Sequence, residues 1–67
     1  MSDYCELNIV SEDSLHDILI AELSEIGYEG FEESAGLLKA YIPEAIFVEN
    51  ELNILLNKYN LKYSLSI

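Results

Sequence analysis

Cysteine and basic residues are scarce in this sequence, and each of these two scarcities excludes a class of protein. The 67 residues include one cysteine, Cys5, and no tryptophan. One cysteine cannot form an internal disulfide or a zinc site of several thiolates, and it fits the reducing cytoplasm, where we expect the chain to work. The N-terminal residues have neither the basic region nor the apolar core of a secretion signal. No apolar run approaches the roughly 20 residues that span a bilayer, so no membrane role is expected.

Basic side chains are equally few. Three lysines, Lys39, Lys58 and Lys62, stand against 13 acidic residues, which gives a formal net charge of -10 at pH 7. Such a chain repels phosphate backbones and anionic lipids, so neither nucleic acid nor a membrane surface is an expected partner. The charge favours a basic protein as partner. An acidic surface that only keeps a small domain soluble would explain the same composition.

The apolar residues predict one domain over residues 1–67. They make up 51% of the chain, too many for a disordered segment, and the length leaves room for one core. Alternating polar and apolar residues predict four strands, over residues 4–10, 30–34, 37–42 and 62–67. Helical spacing predicts two helices, one that ends near Ile26 and one over residues 49–59.

Local signals mark the ends of these helices. Ser11 or Ser14 is predicted to cap the first helix, and Ser14 has capping-box spacing with Asp17. Gly27 and Asn60 are suited to the left-handed conformation that ends a helix. The predicted buried stripe of the first helix consists of Leu15, Ile18, Leu19, Leu23 and Ile26.

The order strand, helix, strand, strand, helix, strand predicts the α+β class and a ferredoxin-like sandwich. Two right-handed crossovers would place both helices on one face of a four-stranded antiparallel sheet, with the first and third strands in the centre. Alternation then assigns two sets of side chains. The inward set is Cys5, Leu7, Ile9, Leu38, Ala40 and Ile42, with Phe31 as an anchor on the second strand. The helix-free set is Tyr4, Glu6, Asn8, Glu32, Lys39, Tyr41, Ser64 and Ser66.

No residue pattern predicts catalysis, cofactor binding or a metal site. His16, the single histidine, is predicted to lie on the surface beside Asp17, without a recognisable nucleophile to activate. Cys5 is predicted to be a buried and inert thiol. The acidic residues around Glu32 and Glu33 lack the spacing of a calcium-binding loop, and solvated carboxylates are the simpler interpretation.

A longer stretch carries a family resemblance. Residues 17–43 read DILIAELSEIGYEGFEESAGLLKAYIP. They contain the pattern G-[YF]-E-x-F-x-E-[ST] at 27–34 and the strand GLLKAYI at 36–42, which follow an acidic amphipathic helix. These features resemble the N-terminal domain of the bacterial methyltransferase that modifies large-subunit ribosomal protein eleven, in its Bacteroidetes form. The resemblance is loose after Pro43, and its motifs are structural rather than catalytic.

The resemblance implies a substrate-recognition domain that binds this basic ribosomal protein. In the family a separate domain binds S-adenosylmethionine and methylates lysine and N-terminal amines, so this chain is expected to be a fragment without cofactor or catalytic residues. The expected contact residues are Tyr4, Lys39 and Tyr41 on the open sheet face, and Glu22, Glu25 and Glu29 near the first helix.

Two alternatives stay open. One is a ligand-sensing or self-associating module of the same fold, which would form a weak homodimer. The other is a small enzyme such as an isomerase or an acylphosphatase. An acylphosphatase would need an arginine for its phosphate, and the lysines account for all three basic residues of this chain.

Overall fold

The computed structural model of the protein describes residues 3–66. The elements follow the predicted order: β1 Tyr4–Val10, α1 Asp13–Glu25, β2 Gly30–Ser34, β3 Leu37–Pro43, a short 3-10 helix Glu44–Ile46, α2 Glu49–Lys58 and β4 Lys62–Ser66. Both helices pack against the same face of the sheet, because their buried leucines share one core with the inward side chains of the strands. The predicted α+β ferredoxin-like fold is confirmed.

The sheet is antiparallel throughout and has the strand order β2-β3-β1-β4. Strands β1 and β3 are central, as predicted. In the register, Leu7 of β1 lies between Ala40 of β3 and Leu65 of β4, and Ile9 lies between Leu38 and Tyr63. Because side chains alternate along a strand, this register places all six predicted inward residues of β1 and β3 on the helix side. All six are buried.

The core joins these strands to three leucines of α2 and two of α1. Leu19 and Leu23 of α1 are fully buried, as is Leu52 of α2. Phe31 of β2, predicted as an anchor, is only half-buried at the edge of the cluster. Tyr28, between α1 and β2, is a core residue that the pattern did not predict, and burial raises the pKa of its hydroxyl above the ordinary tyrosine value.

The start of α1 differs from the prediction. The helix begins at Asp13 after Glu12, and neither Ser11 nor Ser14 caps it with a side-chain hydrogen bond. The Asp13 carboxylate instead accepts a hydrogen bond of 2.9 Å from the backbone N–H of Gly36. The first turn of the helix is therefore fixed by a tertiary contact to the β2–β3 turn, which no local capping rule predicts.

The buried face of α1 is also rotated from the predicted stripe. Ile18 is 46% exposed, whereas His16 is 2% exposed, so the prediction of a surface histidine was wrong. The buried positions 16, 19 and 23 follow i, i+3, i+7 spacing, which is one helix face. Nδ1 of His16 lies 3.1 Å from Oε1 of Glu33 on β2. Since a carboxylate accepts hydrogen bonds, the ring donates from Nδ1, and this bond satisfies one of the two ring nitrogens. The buried Nε2 has no hydrogen-bond partner among residues 3–66.

The C-terminal ends of the two helices agree closely with the prediction. Gly27 and Asn60 have positive φ angles of 108° and 58°, as expected for residues that end a helix. Helix α2 ends one residue early, at Lys58. Ile67, predicted as the last residue of the fourth strand, lies outside the residues that the structure describes.

Leu7 tests the one-sided core most directly. Replacement of Leu7, which has no exposed surface, by alanine is expected to lower the free energy of unfolding by about 2–5 kcal/mol, because it leaves a cavity in a central strand. The control is Val10→Ala on the same strand, where the side chain is 64% exposed and the expected change is within about 0.5 kcal/mol. Urea denaturation followed by circular dichroism measures both, and equal effects would contradict the assigned core.

Candidate protein-binding site

A groove lies between the two helices. It has a volume of about 280 Å³. Its lining is Glu22, Glu25 and Ile26 from the C-terminal end of α1, and Glu51, Ile54, Leu55 and Lys58 from α2. We call this surface the helix groove.

The helix groove combines an apolar floor with an acidic rim. Spacings of three and four residues bring each helix's contribution onto a single face. Ile54 is 65% exposed, so the floor offers apolar surface to a partner. Among residues 3–66, neither Glu25 nor Glu51 has a basic side chain within ion-pair distance. The groove therefore suits a segment that carries both apolar and cationic side chains.

One carboxylate of the rim is already engaged. Nζ of Lys58 lies 2.5 Å from Oε1 of Glu22, and the hydroxyl of Tyr59 donates a hydrogen bond to Oε2 of the same carboxylate. Glu22 thus connects α1 to the end of α2. The hydrogen bonds from Lys58 and then from Tyr59 lower the pKa of Glu22, and the bond to Glu22 raises the pKa of Lys58. Lys58 also lies 5.1 Å from the centroid of the Tyr59 ring, within cation–π range.

Glu29 lies apart from the helix groove. The hydroxyl of Tyr4 donates a hydrogen bond to Oε1 of Glu29, and the backbone N–H of Glu29 donates to the carbonyl of Tyr41 on β3. The bond to Glu29 raises the pKa of Tyr4. The structure therefore brings Glu22 and Glu25 together and separates Glu29 from them, on the side of Tyr4.

The open sheet face carries the other predicted contact residues. The register places Lys39 between Asn8 of β1 and Glu32 of β2. The hydroxyl of Tyr41 donates a hydrogen bond of 3.0 Å to Glu6 and lowers the pKa of that carboxylate. Both tyrosine hydroxyls on this side are thus engaged with carboxylates of the chain itself.

A second concavity lies at one end of the sandwich. It has a volume of about 560 Å³ and is lined by Val10, Ser11, Glu12, Leu15, Gly36, Tyr59 and Leu61. Its surface is mainly apolar and carries a single carboxylate. Val10, an apolar residue at the end of β1, is 64% exposed and contributes to this concavity.

The residues considered for catalysis lie inside the fold. Cys5 is 2% exposed, and burial raises the pKa of its thiol. Within the described part of the chain, no three His, Cys, Asp or Glu side chains are grouped as metal ligands. Neither helix found in residues 3–66 combines the length and apolar character needed to cross a bilayer.

The bridge at Glu22 predicts a pH-dependent contribution to stability. A lowered pKa in the folded state means that the contribution is complete above the unfolded glutamate pKa, about 4.3, and is lost as the pH falls through the folded value. The difference in unfolding free energy between the wild type and Glu22→Gln should therefore be constant near neutral pH and shrink below about pH 4.3.

Glu25→Gln is the matched control for that series. It removes one negative charge from the same helix but no ion pair within residues 3–66, so it should cost less stability at pH 7 than Glu22→Gln. Thermal unfolding across the pH series measures both variants. A wild-type advantage over Glu22→Gln that grows as the pH falls would contradict the bridge.

Comparison with known proteins gives one informative similarity. No family model and no solved structure matches the chain. A protein of Porphyromonas gingivalis named ribosomal protein L11 methyltransferase is 39% identical to it over 49 residues. The match covers 73% of this chain and 17% of that protein. The chain is therefore similar to a small part of a ribosomal protein methyltransferase, and it spans about one-sixth of that relative's length.

Proposed function

We propose that this chain is a recognition domain of a ribosomal protein methyltransferase, which binds ribosomal protein L11 and presents it to a separate catalytic domain. The observation that carries the proposal is the 39% identity over 49 residues to the P. gingivalis protein of that name. Since the match covers 17% of that protein, most of its sequence is available for a catalytic domain. In this proposal the chain is one part of a larger cytoplasmic enzyme.

The surface charge supports a basic partner. Ribosomal proteins contact RNA phosphates with lysine and arginine, so they are cationic, and a domain with a net charge of -10 attracts them. The helix groove adds a shaped surface to this general attraction. Its exposed Ile54 provides apolar contact, while the Glu25 and Glu51 carboxylates have no basic side chain of residues 3–66 within ion-pair distance.

The placement of the reactive side chains supports binding rather than catalysis. Cys5 and His16 are each 2% exposed, and the one polar partner of the histidine ring is Glu33 within the described fold. In this proposal the separate domain binds S-adenosylmethionine and transfers its methyl group to lysine and N-terminal amines. Recognition contributes by holding the substrate close, because a tethered binding site raises the local concentration of the substrate around the catalytic domain.

Binding to purified ribosomal protein L11 tests this function. Isothermal titration calorimetry should detect a one-to-one complex with a Kd of about 1–10 μM at low salt. Affinity should fall by about tenfold as ionic strength rises from about 0.05 M to 0.3 M, because the screening length shortens. Hen egg-white lysozyme, another small basic protein, is the control for charge alone and should bind at least about tenfold more weakly.

Absence of binding to ribosomal protein L11 at low salt would refute the proposed function. Equal affinity for lysozyme would also refute it, since recognition would then reduce to net charge. Analytical ultracentrifugation of the domain alone addresses the self-association alternative. A stable dimer that does not dissociate on addition of ribosomal protein L11 would favour that alternative.

A further inference from the structure

The bridge between Lys58 and Glu22 indicates how the helix groove selects its partner. Lys58 is the one basic residue that lines the groove, and its ammonium lies on Glu22 at the opposite helix. We infer that the helix groove is the docking surface for a cationic amphipathic segment of the partner, and that Lys58 occupies the place that the partner's lysine or arginine takes on binding. The inference rests on the proposed function and assigns it a surface.

The geometry allows a cation of the partner to replace Lys58 at the Glu22 carboxylate. Its side chain is 56% exposed and is anchored in the last turn of α2, so the ammonium reaches Glu22 along the wall of an open groove. The Glu22 side chain is 25% exposed, so an incoming cation can reach it. An exposed ion pair of this kind contributes little to folding, so its exchange for an intermolecular pair costs the domain little.

Lys58 has a second favourable partner, the Tyr59 ring, which it already contacts while it is paired with Glu22. The Tyr59 ring lies next to it in sequence, with a centroid 5.1 Å from Nζ. A cation over an aromatic ring is attracted to the ring face, so Lys58 can remain on Tyr59 while the partner's cation takes the carboxylate. The hydroxyl of Tyr59 meanwhile holds Glu22 in place by its own hydrogen bond.

The remaining groove residues define the rest of the partner segment. Glu25 and Glu51 supply two further carboxylates, and Ile26 and Ile54 supply apolar contact between them. A segment that docks here therefore has apolar side chains on one face and basic side chains beside them. A neutral segment that displaces Lys58 gains no ion pair with Glu22 in return. Lys58 therefore lowers the affinity of the groove for partners without a cation.

Two matched lysine variants test the displacement. Lys58→Gln and Lys39→Gln each remove one positive charge, but Lys39 lies on the open sheet face. Lys58→Gln should tighten binding of ribosomal protein L11 by about threefold to tenfold relative to Lys39→Gln, because Glu22 is then free for the partner. Equal affinities, or weaker binding by Lys58→Gln, would overturn the inference.

A second pair tests the carboxylate. Glu22→Gln should weaken binding at least about fivefold, whereas Glu32→Gln, the same charge change on the open sheet face, should change it less than about twofold. In the double variant Glu22→Gln, Lys58→Gln the gain from removing Lys58 should disappear, since the two residues act on one site. A gain that persists in the double variant would contradict a shared site.

The outcomes separate this inference from the proposed function. If the wild type binds ribosomal protein L11 and the two lysine variants bind equally, the function stands and the role of Lys58 is wrong. If the wild type does not bind, the function itself fails. Far-ultraviolet circular dichroism confirms that each variant is folded. Lys58→Arg gives an independent reading: it keeps the charge and strengthens the pair with Glu22, so it should bind no more tightly than the wild type.

Discussion

Pairing of β1 with β3 on one side and β4 on the other is the constraint on which the rest of the structure depends. It places Cys5, Leu7 and Ile9 in the middle of the helix-covered face, where each is at most 2% exposed. A shift of one residue in this register would turn those side chains to the open face and bring Glu6 and Asn8 into the core. Both helices dock on this apolar surface, so the groove between them depends on the same register.

The groove between the helices exists because each helix buries only one of its faces in the core. Leu19 and Leu23 of α1, and Leu52, Leu55 and Leu56 of α2, are buried in the core, whereas Glu25, Glu51 and Ile54 are exposed. In a chain with 13 acidic residues, the facing sides of the helices carry glutamates. Like charges across the gap would repel, and Lys58 offsets that repulsion at Glu22. A partner that brings its own cation can do the same, which makes this surface better suited to exchange than the open sheet face.

The sequence predicted the strands closely and the helix surfaces poorly, and the reasons are physical. Alternation has a period of two, so a single pattern such as that of residues 4–10 determines both the strand and its buried side. The phase of α1 depends on which residues find partners in three dimensions. His16 is buried with its Nδ1 on Glu33 of β2, and neither spacing nor hydropathy indicates that pairing.

In the candidate site, too, the sequence pattern predicted some residues, and tertiary packing determined the others. Glu22 and Glu25 were predicted as contact residues, and they do share a surface, because residues three apart lie on one helix face. Glu29 was grouped with them by proximity in sequence, but it follows Gly27, where φ is positive after the end of α1, and it lies beside Tyr4. Lys58 and Ile54 were missed, since only the packing of α2 beside α1 makes them part of the groove. The isolated Ile54, outside the leucine stripe of α2, was the one available signal.

Nuclear magnetic resonance mapping tests the central claim, that the two helices rather than the open sheet form the binding surface. The isotope-labelled domain is titrated with unlabelled ribosomal protein L11, and amide shifts are followed for every resolved residue. The account predicts the largest shifts at Glu22, Ile26, Ile54 and Lys58, with small shifts at Lys39 and Tyr41. Shifts concentrated at Lys39 and Tyr41, or no shifts at all, would contradict it.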